Sequence, residues 1–546
     1  MKLNRLLPLC GLLAGACLIP ACQQYSSSKM SEPVAAEPAA DSSLSEELNP
    51  APAPESRENY AVIHENDFQD ARRTPLSTFA IDVDRASYSN VRRFLTQDRQ
   101  LPPPDAVRLE ELVNYFPYRY PQPTDTEPAS LNAEVAACPW NAQHQLVLVG
   151  VQGREIATEQ LPPANLVFLV DVSGSMGEPN KLPLLKESLR ALVRQKLRPQ
   201  DYVAVVVYAG AAGLVLPPTP GSEPDRILAA LDNLQAGGST AGSAGLRLAY
   251  QVARQHFRPG ANNRVVLASD GDFNVGEQSD ADMERLITQE RGSGIFLSVL
   301  GFGSGNYQDS RMELLADKGN GNYAYIDNAQ EANRVLVQQF GGTLFTLAKD
   351  VKVQVEFNPA HVRRYRLLGY ENRLLAAEHF NDDRKDAGEL GAGQQVTALY
   401  EVVPTGAPAT SGATVDPLKY QAVPQPTALA HTNELLTVKL RYQEPQGSPS
   451  RLLTLPVPAA RAATPIAQAS DNARWAAAVA QFGLLLRHSR HGGTASWEST
   501  AAQARSVTGS DADNSRAEFR ELVQQAAELS EATGSTPAAD GVGRRY

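Results

Sequence analysis

Hydrophobic residues between positions 163 and 343 follow two alternating patterns. Residues 165–171 form a short run that is apolar between its first and last residues, which is typical of a strand buried on both faces of a sheet. Residues 182–197 instead place apolar side chains three and four positions apart, the spacing of an amphipathic helix. Strands that alternate with helices in this way predict an α/β fold with a doubly wound, mostly parallel sheet.

The same two patterns predict the other elements of this region. Further strands are expected at 202–208, near Leu214, and at 264–269, 295–301 and 323–326. Further helices are expected at 225–234, 243–257, 281–291, 311–318 and 329–340. In sheets of this kind the ligand-binding loops lie at the carboxyl ends of the strands, beside a switch point in strand order.

The flanking segments combine helices with strands of period two. Before the α/β region, strands are expected at 78–84, 130–136 and 145–151, and helices at 86–97 and 102–116. After it, strands are expected at 351–357, 396–403, 435–442 and 452–457, and amphipathic helices at 474–487 and 519–529. We expect the strands between 130 and 151 and those after the α/β region to form one β-sandwich, with the α/β region inserted between two of its strands, and the last helices to pack in a core.

The first 21 residues have the pattern of a targeting segment. Lys2 and Arg5 precede an apolar stretch that prolines interrupt, and this stretch is too short and too broken to span a membrane as a helix. Small residues stand before cysteine twice, at Cys17 and at Cys22. This pattern resembles the bacterial lipobox, and we expect lipidation of Cys22, because polar residues follow it directly. Cys17 stays open as the lipidated residue, and an ordinary secretory signal stays open as an alternative.

Changes of composition divide the rest of the chain. Residues 22–58 are rich in Ser, Ala, Pro and Glu, which predicts a flexible linker. The full predicted organisation is a lipoprotein signal peptide at 1–21, the linker at 22–58, an N-terminal module at 59–125, a β segment at 126–162, the α/β domain at 163–343, a β-rich region at 344–465 and a helical C-terminal region at 466–546.

Composition and motifs argue against several classes of ligand. The net charge of −11 argues against nucleic acid as a partner. The glycine-rich stretch at 301–305 is followed by Asn306 where a dinucleotide fingerprint has its third glycine, so no nucleotide is expected. Beyond Cys22 the sequence contains only Cys138, which leaves no partner for an intramolecular disulfide.

Five side chains with oxygen atoms stand at the ends of predicted elements of the α/β domain. Asp171, Ser173 and Ser175 follow its first strand, Thr240 opens a later helix, and Asp270 follows a later strand. Loops at the carboxyl ends of neighbouring parallel strands meet at one edge, so we expect these side chains to converge. Two carboxylates and three hydroxyls offer only oxygen ligands, which suits Mg²⁺ or another hard divalent cation.

These five positions carry a resemblance to a known family. In their order and placement they match the metal-ion-dependent adhesion site of von Willebrand factor A domains, which residues 163–343 resemble. The stretches 75–95, 101–108, 269–276, 482–487 and 516–519 resemble a bacterial lipoprotein family in which an N-terminal module precedes this domain and an uncharacterised domain ends the chain. The resemblance implies a Rossmann-like fold and, as in the adhesive members of the wider family, a cation that bridges to an acidic side chain of a protein partner.

Two motifs look catalytic but lack residues that catalysis needs. Asp82 and Asp84 superficially resemble the Asp-x-Asp of haloacid-dehalogenase-type phosphatases, yet Ala86 stands where that motif has Thr or Val; a hydrogen-bonded turn is the structural interpretation. Residues 174–177 lack the Gly-x-Ser-x-Gly spacing of a hydrolase. We therefore expect that the protein is not an enzyme.

Two functional hypotheses follow. The first is a metal-dependent binding or scaffolding lipoprotein of the bacterial cell envelope, anchored by lipid to the outer membrane on its periplasmic or surface side, that engages an acidic group on a partner. The second is a structural envelope protein whose metal site is filled by its own flanking modules. A degenerate site that binds no metal is a further alternative, although all five positions are intact.

Overall fold

A computed structural model describes the folded part of the chain. The chain divides into two units, residues 1–55 and 56–546, and the described residues belong to the second. They are 58–124, 127–238, 242–271, 280–339, 342, 345–408, 419–420, 425–445, 449–459, 464–509, 511–532 and 534. The predicted signal peptide, Cys22 and nearly all of the predicted linker lie outside the described residues.

The described strands are numbered here in chain order. They are β1 Gln69–Asp70, β2 Leu76–Ala80, β3 Ala129–Ala137, β4 Gln145–Gly153, β5 Ala164–Asp171, β6 Tyr202–Tyr208, β7 Ala212–Pro220, β8 Asn262–Ser269, β9 Ile295–Phe302, β10 Tyr323–Ile326, β11 Thr346–Phe357, β12 Val362–Leu368, β13 Leu374–Leu375, β14 Gly388–Gly391, β15 Gln395–Pro404, β16 Glu434–Gln443 and β17 Arg451–Pro458.

The described α-helices are numbered in the same way. They are α1 Ala86–Thr96, α2 Leu109–Asn114, α3 Leu182–Gln195, α4 Pro224–Asp232, α5 Gly242–Gln255, α6 Asp280–Gly292, α7 Asp309–Lys318, α8 Ala329–Asn333, α9 Asp471–Leu486, α10 Trp497–Arg505 and α11 Ser515–Ala532. A π-helical turn, Arg334–Gln338, continues α8. None of these described helices is both long enough and apolar enough to cross a bilayer.

The α/β domain is built on a sheet in the order β10-β9-β8-β5-β6-β7. Its strands run parallel except for β7, which is antiparallel to β6. One core packs α3, α4 and α8 on one face of this sheet, and a second core packs α5, α6 and α7 on the other. The predicted doubly wound α/β sheet is therefore confirmed, with the strand order switching direction at β5.

Strands from both flanks form a β-sandwich. One sheet has the order β1-β12-β15-β4-β3, and the other has β13-β2-β11-β16-β17 with β14 beside β11. The antiparallel pair β4–β15 places Val149 opposite Ala398, and the pair β2–β11 places Phe79 opposite Val353. The prediction that the α/β domain is inserted into one sandwich is therefore confirmed, because strands before and after it pair directly.

The short strands β1, β13 and β14 of the sandwich were not predicted, and two longer strands differ from the prediction as well. Strand β2 ends at Ala80, because Asp82 turns the chain by accepting a hydrogen bond from the Asp84 amide at 2.9 Å. Strand β12 was not predicted, because its arginines mask the alternation of apolar residues. One of them, Arg366, is buried and pairs with Glu401 at 2.8 Å.

The helices of the two ends of the folded unit share one core. Phe116, which follows α2, packs its ring against Trp475 of α9 at 5.2 Å and Phe519 of α11 at 5.5 Å between centroids. Tyr88 of α1 and Phe482 of α9 belong to the same buried cluster. The apolar stripes predicted for the C-terminal helices are thus core faces, and they pack on the N-terminal module.

A buried arginine joins three parts of the molecule. From α1, Arg92 donates to Asp327 at 2.8 Å and to Glu331 at 2.8 Å, both in the α/β domain. It also donates to the Tyr115 hydroxyl at 2.9 Å and to Glu518 of α11 at 3.0 Å. Since the guanidinium, Asp327 and Glu331 are almost fully buried, each depends on the others for compensation of its charge.

We expect Arg92→Met to lower the free energy of unfolding by about 3–5 kcal/mol, because it leaves two carboxylates buried without their cation. Urea denaturation followed by circular dichroism measures the loss. The control is Arg190→Met, which removes an ion pair to Asp232 in which both side chains are partly exposed and should cost less than about 1 kcal/mol. Equal losses in the two variants would contradict the bridging role of Arg92.

Candidate functional site

Asp171 ends the central strand β5 and is held in place on both carboxylate oxygens. Oδ1 accepts a hydrogen bond from the Ser173 amide at 2.9 Å. Oδ2 accepts from the Tyr208 hydroxyl at 3.0 Å and from the Ser269 hydroxyl at 3.2 Å. Burial raises the pKa of Asp171, the charge of Asp270 adds to the rise, and the hydrogen bonds from Ser173 and Tyr208 oppose it. The carboxylate is therefore fixed in direction, and its charge is only partly compensated by these contacts.

The two serines of the first loop lie side by side. The Ser173 and Ser175 hydroxyl oxygens are 3.2 Å apart, and Ser173 is buried while Ser175 is exposed. Adjacent ligands of an octahedral Mg²⁺ with bonds of about 2.1 Å are about 3.0 Å apart. The pair therefore has the spacing of one edge of such a site, with one oxygen open to solvent.

Asp270 follows β8 and lies in the same region as Asp171. Its Oδ2 accepts from the Lys181 ammonium at 3.2 Å and from the Asn306 amide at 3.4 Å. The chain then turns at Gly271, whose φ is +94° and where a Cβ would come within 2.5 Å of the Gln308 amide nitrogen. Glycine is needed here, since another residue would be strained and would push this loop away from Asp270.

The loop that leads to Thr240 contacts the first loop. The Gly237 amide donates to the Val172 carbonyl at 2.7 Å, and the Gly174 amide donates to the Gly238 carbonyl at 3.1 Å. Thr240 itself lies outside the described residues. The structure thus brings four of the five predicted residues (Asp171, Ser173, Ser175 and Asp270) to one edge of the sheet.

Lys181 is a residue of this site that the sequence did not predict. It precedes α3, its side chain is 4% exposed, and its ammonium contacts Asp270. A lone lysine at a helix start is normally solvated, so no sequence signal marks it. Gly303, with φ of +77°, makes room for it, because a Cβ there would come within 2.2 Å of the lysine chain.

A second group of carboxylates lies between the α/β domain and its flanks. Oxygen atoms of Asp82, Glu111 and Glu313 come within 4.8 Å of one another. Arg373 pairs with Asp82 at 3.0 Å and Asp84 at 3.5 Å. The Asp-x-Asp motif therefore turns the chain and binds an arginine, which confirms the structural interpretation of these two residues.

Acids outnumber bases in this interface cluster. Its two guanidinium groups belong to Arg108 and Arg373, and their ion-pair partners are Asp82, Asp84, Glu111, Asp309, Glu313 and Asp317. Burial raises the pKa of Glu111 to about 8, Arg108 opposes the rise, and the charges of Asp82 and Glu313 add to it. The cluster therefore favours the protonated form of Glu111 near neutral pH.

Family profiles match most of the chain. The profile described as von Willebrand factor type A domain matches residues 166–272, and one described as von Willebrand factor matches residues 54–148. The profile described as the C-terminal part of the uncharacterized protein YfbK matches residues 342–529. The three matches follow one another along the chain. They cover most of the N-terminal module, the α/β domain as far as residue 272, and the region after that domain as far as residue 529.

Several relatives share parts of this sequence. The uncharacterized protein YfbK of Escherichia coli is 44% identical over 474 residues, which are 86% of this chain and 80% of that protein. The uncharacterized protein sll0103 of Synechocystis is 31% identical over 182 residues, 33% of this chain and 41% of that protein. The inter-alpha-trypsin inhibitor heavy chain H3 of Bos taurus is 25% identical over 187 residues, 32% of this chain and 21% of that protein.

Two solved structures align with much of the chain. A von Willebrand factor type A protein from Catenulispora acidiphila has a TM-score of 0.40 and 16% identity, over 76% of this chain and 90% of that one. The ArnB paralog VWA2 from Sulfolobus acidocaldarius has a TM-score of 0.36 and 14% identity, over 75% of this chain and 100% of that one.

The interface cluster predicts a pH dependence of stability. The pKa of Glu111 is about 8 in the folded chain against an ordinary value of 4.5. Between these values the folded state binds the extra proton, so stability falls as the pH rises through the window, by up to about 1.4 kcal/mol per pH unit. Thermal melts from pH 5 to 8.5 should show this fall, and Glu111→Gln should make it less steep, while Glu110, whose pKa burial raises to about 7, maintains part of it. Glu187→Gln, at an exposed position of α3, should leave it unchanged; a Glu111→Gln profile as steep as wild type would contradict the assignment.

Lys181 predicts the direction of a change in metal affinity. We expect Lys181→Met to tighten Mg²⁺ binding by about 1 kcal/mol, roughly fivefold, because it removes a cation that competes for Asp270. Isothermal titration calorimetry gives the two affinities. Lys318→Met, whose lysine is 41% exposed on α7, should bind Mg²⁺ like wild type. Weaker binding by Lys181→Met would show that the lysine instead holds Asp270 in position for the ion.

Proposed function

The chain belongs to the protein family of Escherichia coli YfbK, and on this premise we propose that it is a metal-dependent protein-binding or scaffolding protein. Domains of the von Willebrand factor A type are generally protein-interaction modules and often depend on a metal. The observation that carries the proposal is the convergence of Asp171, Ser173, Ser175 and Asp270 at one edge of the sheet, with Ser175 exposed.

The donor set fits a hard divalent cation such as Mg²⁺. The side chains that would hold it are Asp171, Ser173, Ser175, Thr240 and Asp270, which offer oxygen ligands alone. The two carboxylates balance the charge of the ion and orient the hydroxyls, and the contacts of Asp171 with Tyr208 and Ser269 keep its oxygens in place. When bound, the cation would supply an electrophilic position for an Asp or Glu carboxylate of a partner.

The surface beside Ser175 supports a protein partner. A cleft of about 340 Å³ begins at Met176, and Leu182, Pro183 and Leu234 line it. Lys186 and Arg190, two basic residues of α3, line it as well. An acidic peptide segment with one apolar side chain would match both the cleft and the cation, so recognition by an acidic group is the form of binding that we propose.

We propose binding rather than catalysis as the role of the site. The Ser173 backbone amide donates to Asp171, and the Ser173 and Ser175 hydroxyls are hydrogen-bonded to each other. Within the part of the chain that the structure describes, no hydrogen bond joins either serine to a histidine base of the kind that activates a hydroxyl nucleophile. These oxygens suit cation ligation better than covalent chemistry.

We further propose that the protein is a lipoprotein of the bacterial cell envelope. The support is the sequence alone: the basic residues Lys2 and Arg5, the short apolar stretch and the small residue before Cys22. Lipid on Cys22 would anchor the folded unit to a membrane through the predicted linker, with the outer membrane as the proposed location.

A second candidate is a structural envelope protein whose metal site is filled from within. It is favoured by the contact between the start of the folded unit and the loop that carries Asn306. The Glu58 carboxylate accepts from the Gly305 amide at 2.7 Å, and the Asn59 amide donates to the Tyr307 carbonyl at 2.9 Å. The flanking segment thus reaches a loop that contacts Asp270.

The metal assignment predicts the behaviour of Asp171→Ala. The variant should keep the circular dichroism spectrum of the wild type and lose calorimetric Mg²⁺ binding, because a carboxylate that balances the ion is gone. Asp225→Ala, which alters an exposed acid in the first turn of α4 away from the site, should bind Mg²⁺ normally. Unchanged Mg²⁺ affinity in Asp171→Ala would contradict the assignment of these residues as a metal site.

Crosslinking in cells separates the two candidate functions. Partners captured by wild type should be lost from Asp171→Ala, and in a pull-down they should be lost when EDTA replaces Mg²⁺. Partners that persist in both experiments would favour the second candidate, since its external contacts do not use the metal. Asp225→Ala is again the matched control.

A further inference from the structure

A cavity of about 900 Å³ lies where the α/β domain, the sandwich and the C-terminal helices meet. Val266 of β8 and Leu300 of β9 line it from the sheet, and Val335 lines it from the π-helical turn after α8. None of the described metal-site residues lines it. Its size is that of a pocket for a small molecule, and the proposed function gives it no role.

Arg85 in the wall of this cavity has an uncompensated charge. Its Nε is enclosed and has no hydrogen-bond partner, and no ion pair of Arg85 is found among the described residues. The neighbouring acids already have partners: Glu331 accepts from Arg92 and from the Tyr115 hydroxyl, and Asp84 accepts from the Tyr323 amide. Burial and the neighbouring charge of Arg334 together lower the pKa of Arg85 to about 10, and the charge of Glu331 opposes them.

The acidic groups that line the cavity all have partners, whereas Arg119 and Lys196, which also line it, form no ion pair with a described residue. Arg334 pairs with Asp513 and donates to the Tyr115 carbonyl at 2.8 Å. Asp511 accepts from the Arg516 amide at 2.9 Å and from the Ala517 amide at 2.8 Å, and Glu155 accepts from the Gln122 amide at 3.0 Å. Arg516 donates to the Pro117 carbonyl at 3.4 Å, but its Nε also lacks a partner. The cavity therefore presents N–H donors of cationic side chains that lack partners, whereas its carboxylates already accept hydrogen bonds.

We propose that this cavity binds a small organic anion with an apolar body, a medium-chain carboxylate being the simplest example. Its carboxylate would pair with Arg85, since a guanidinium offers two parallel donors to a carboxylate. Its chain would lie along the apolar wall that Ile156, Leu336 and the sheet residues provide. A single carboxylate already satisfies one guanidinium, so the simplest ligand carries one negative charge.

The test compares two ligands of equal chain length, decanoate and decanol, by calorimetry on the full chain. Wild type should bind decanoate at least about tenfold more tightly than decanol, since only decanoate neutralises Arg85. Arg85→Met should lose this preference, and Arg85→Lys, which keeps the cation, should retain part of it. Arg384→Met, whose arginine side chain is 90% exposed, should behave like wild type.

The melting temperature of Arg85→Met tests independently whether Arg85 lacks an ion pair in the folded protein. It should equal or exceed that of the wild type, because the substitution breaks no ion pair. If the wild-type protein binds neither decanoate nor decanol, or binds both equally, the proposal is overturned by the wild-type measurements alone. A preference for decanoate that survives in a folded Arg85→Met would overturn it as well.

Discussion

The antiparallel hydrogen bonds between β4 and β15 and between β2 and β11 are the constraint on which the rest of the structure depends. They join residues as distant in sequence as Phe79 and Val353. Each pair places one strand from before the α/β domain against one from after it, so the domain is held at both ends. The sandwich core can be complete only when both flanks contribute, because buried residues of both belong to one cluster.

Buried arginines then fix the α/β domain against its surroundings. Arg92, Arg108 and Arg373 each contact carboxylates of that domain from flanking segments. Taking these charges out of water is costly, and only close, hydrogen-bonded partners offset the cost. Such contacts are directional in a way that apolar packing is not, so they specify one orientation of the domain. In that orientation Ser175 stays exposed.

Sequence patterns predicted the regular part of this molecule and the residues of its candidate site. The uninterrupted apolar run before Asp171 marks a buried strand, and two aspartates that follow neighbouring strands of a parallel sheet must lie at the same edge. Strand β12 and Lys181 could not be predicted for one shared reason. Each is a basic segment or residue that is buried through ion pairs, whereas hydrophobic patterning treats a charge as a sign of exposure. Thr240 remains a prediction.

The insertion of the α/β domain into the sandwich also orders events during folding. The hairpin of β3 and β4 leaves the ribosome long before β15 does, and until then one edge of β4 has no strand beside it. An unpaired edge of this kind can pair with other chains. If the α/β domain folds first, it replaces the flexible stretch 163–343 with a fixed span and reduces the entropy lost when β4 meets β15. A substitution that slows folding of the α/β domain would then prolong the exposure of a strand it never touches.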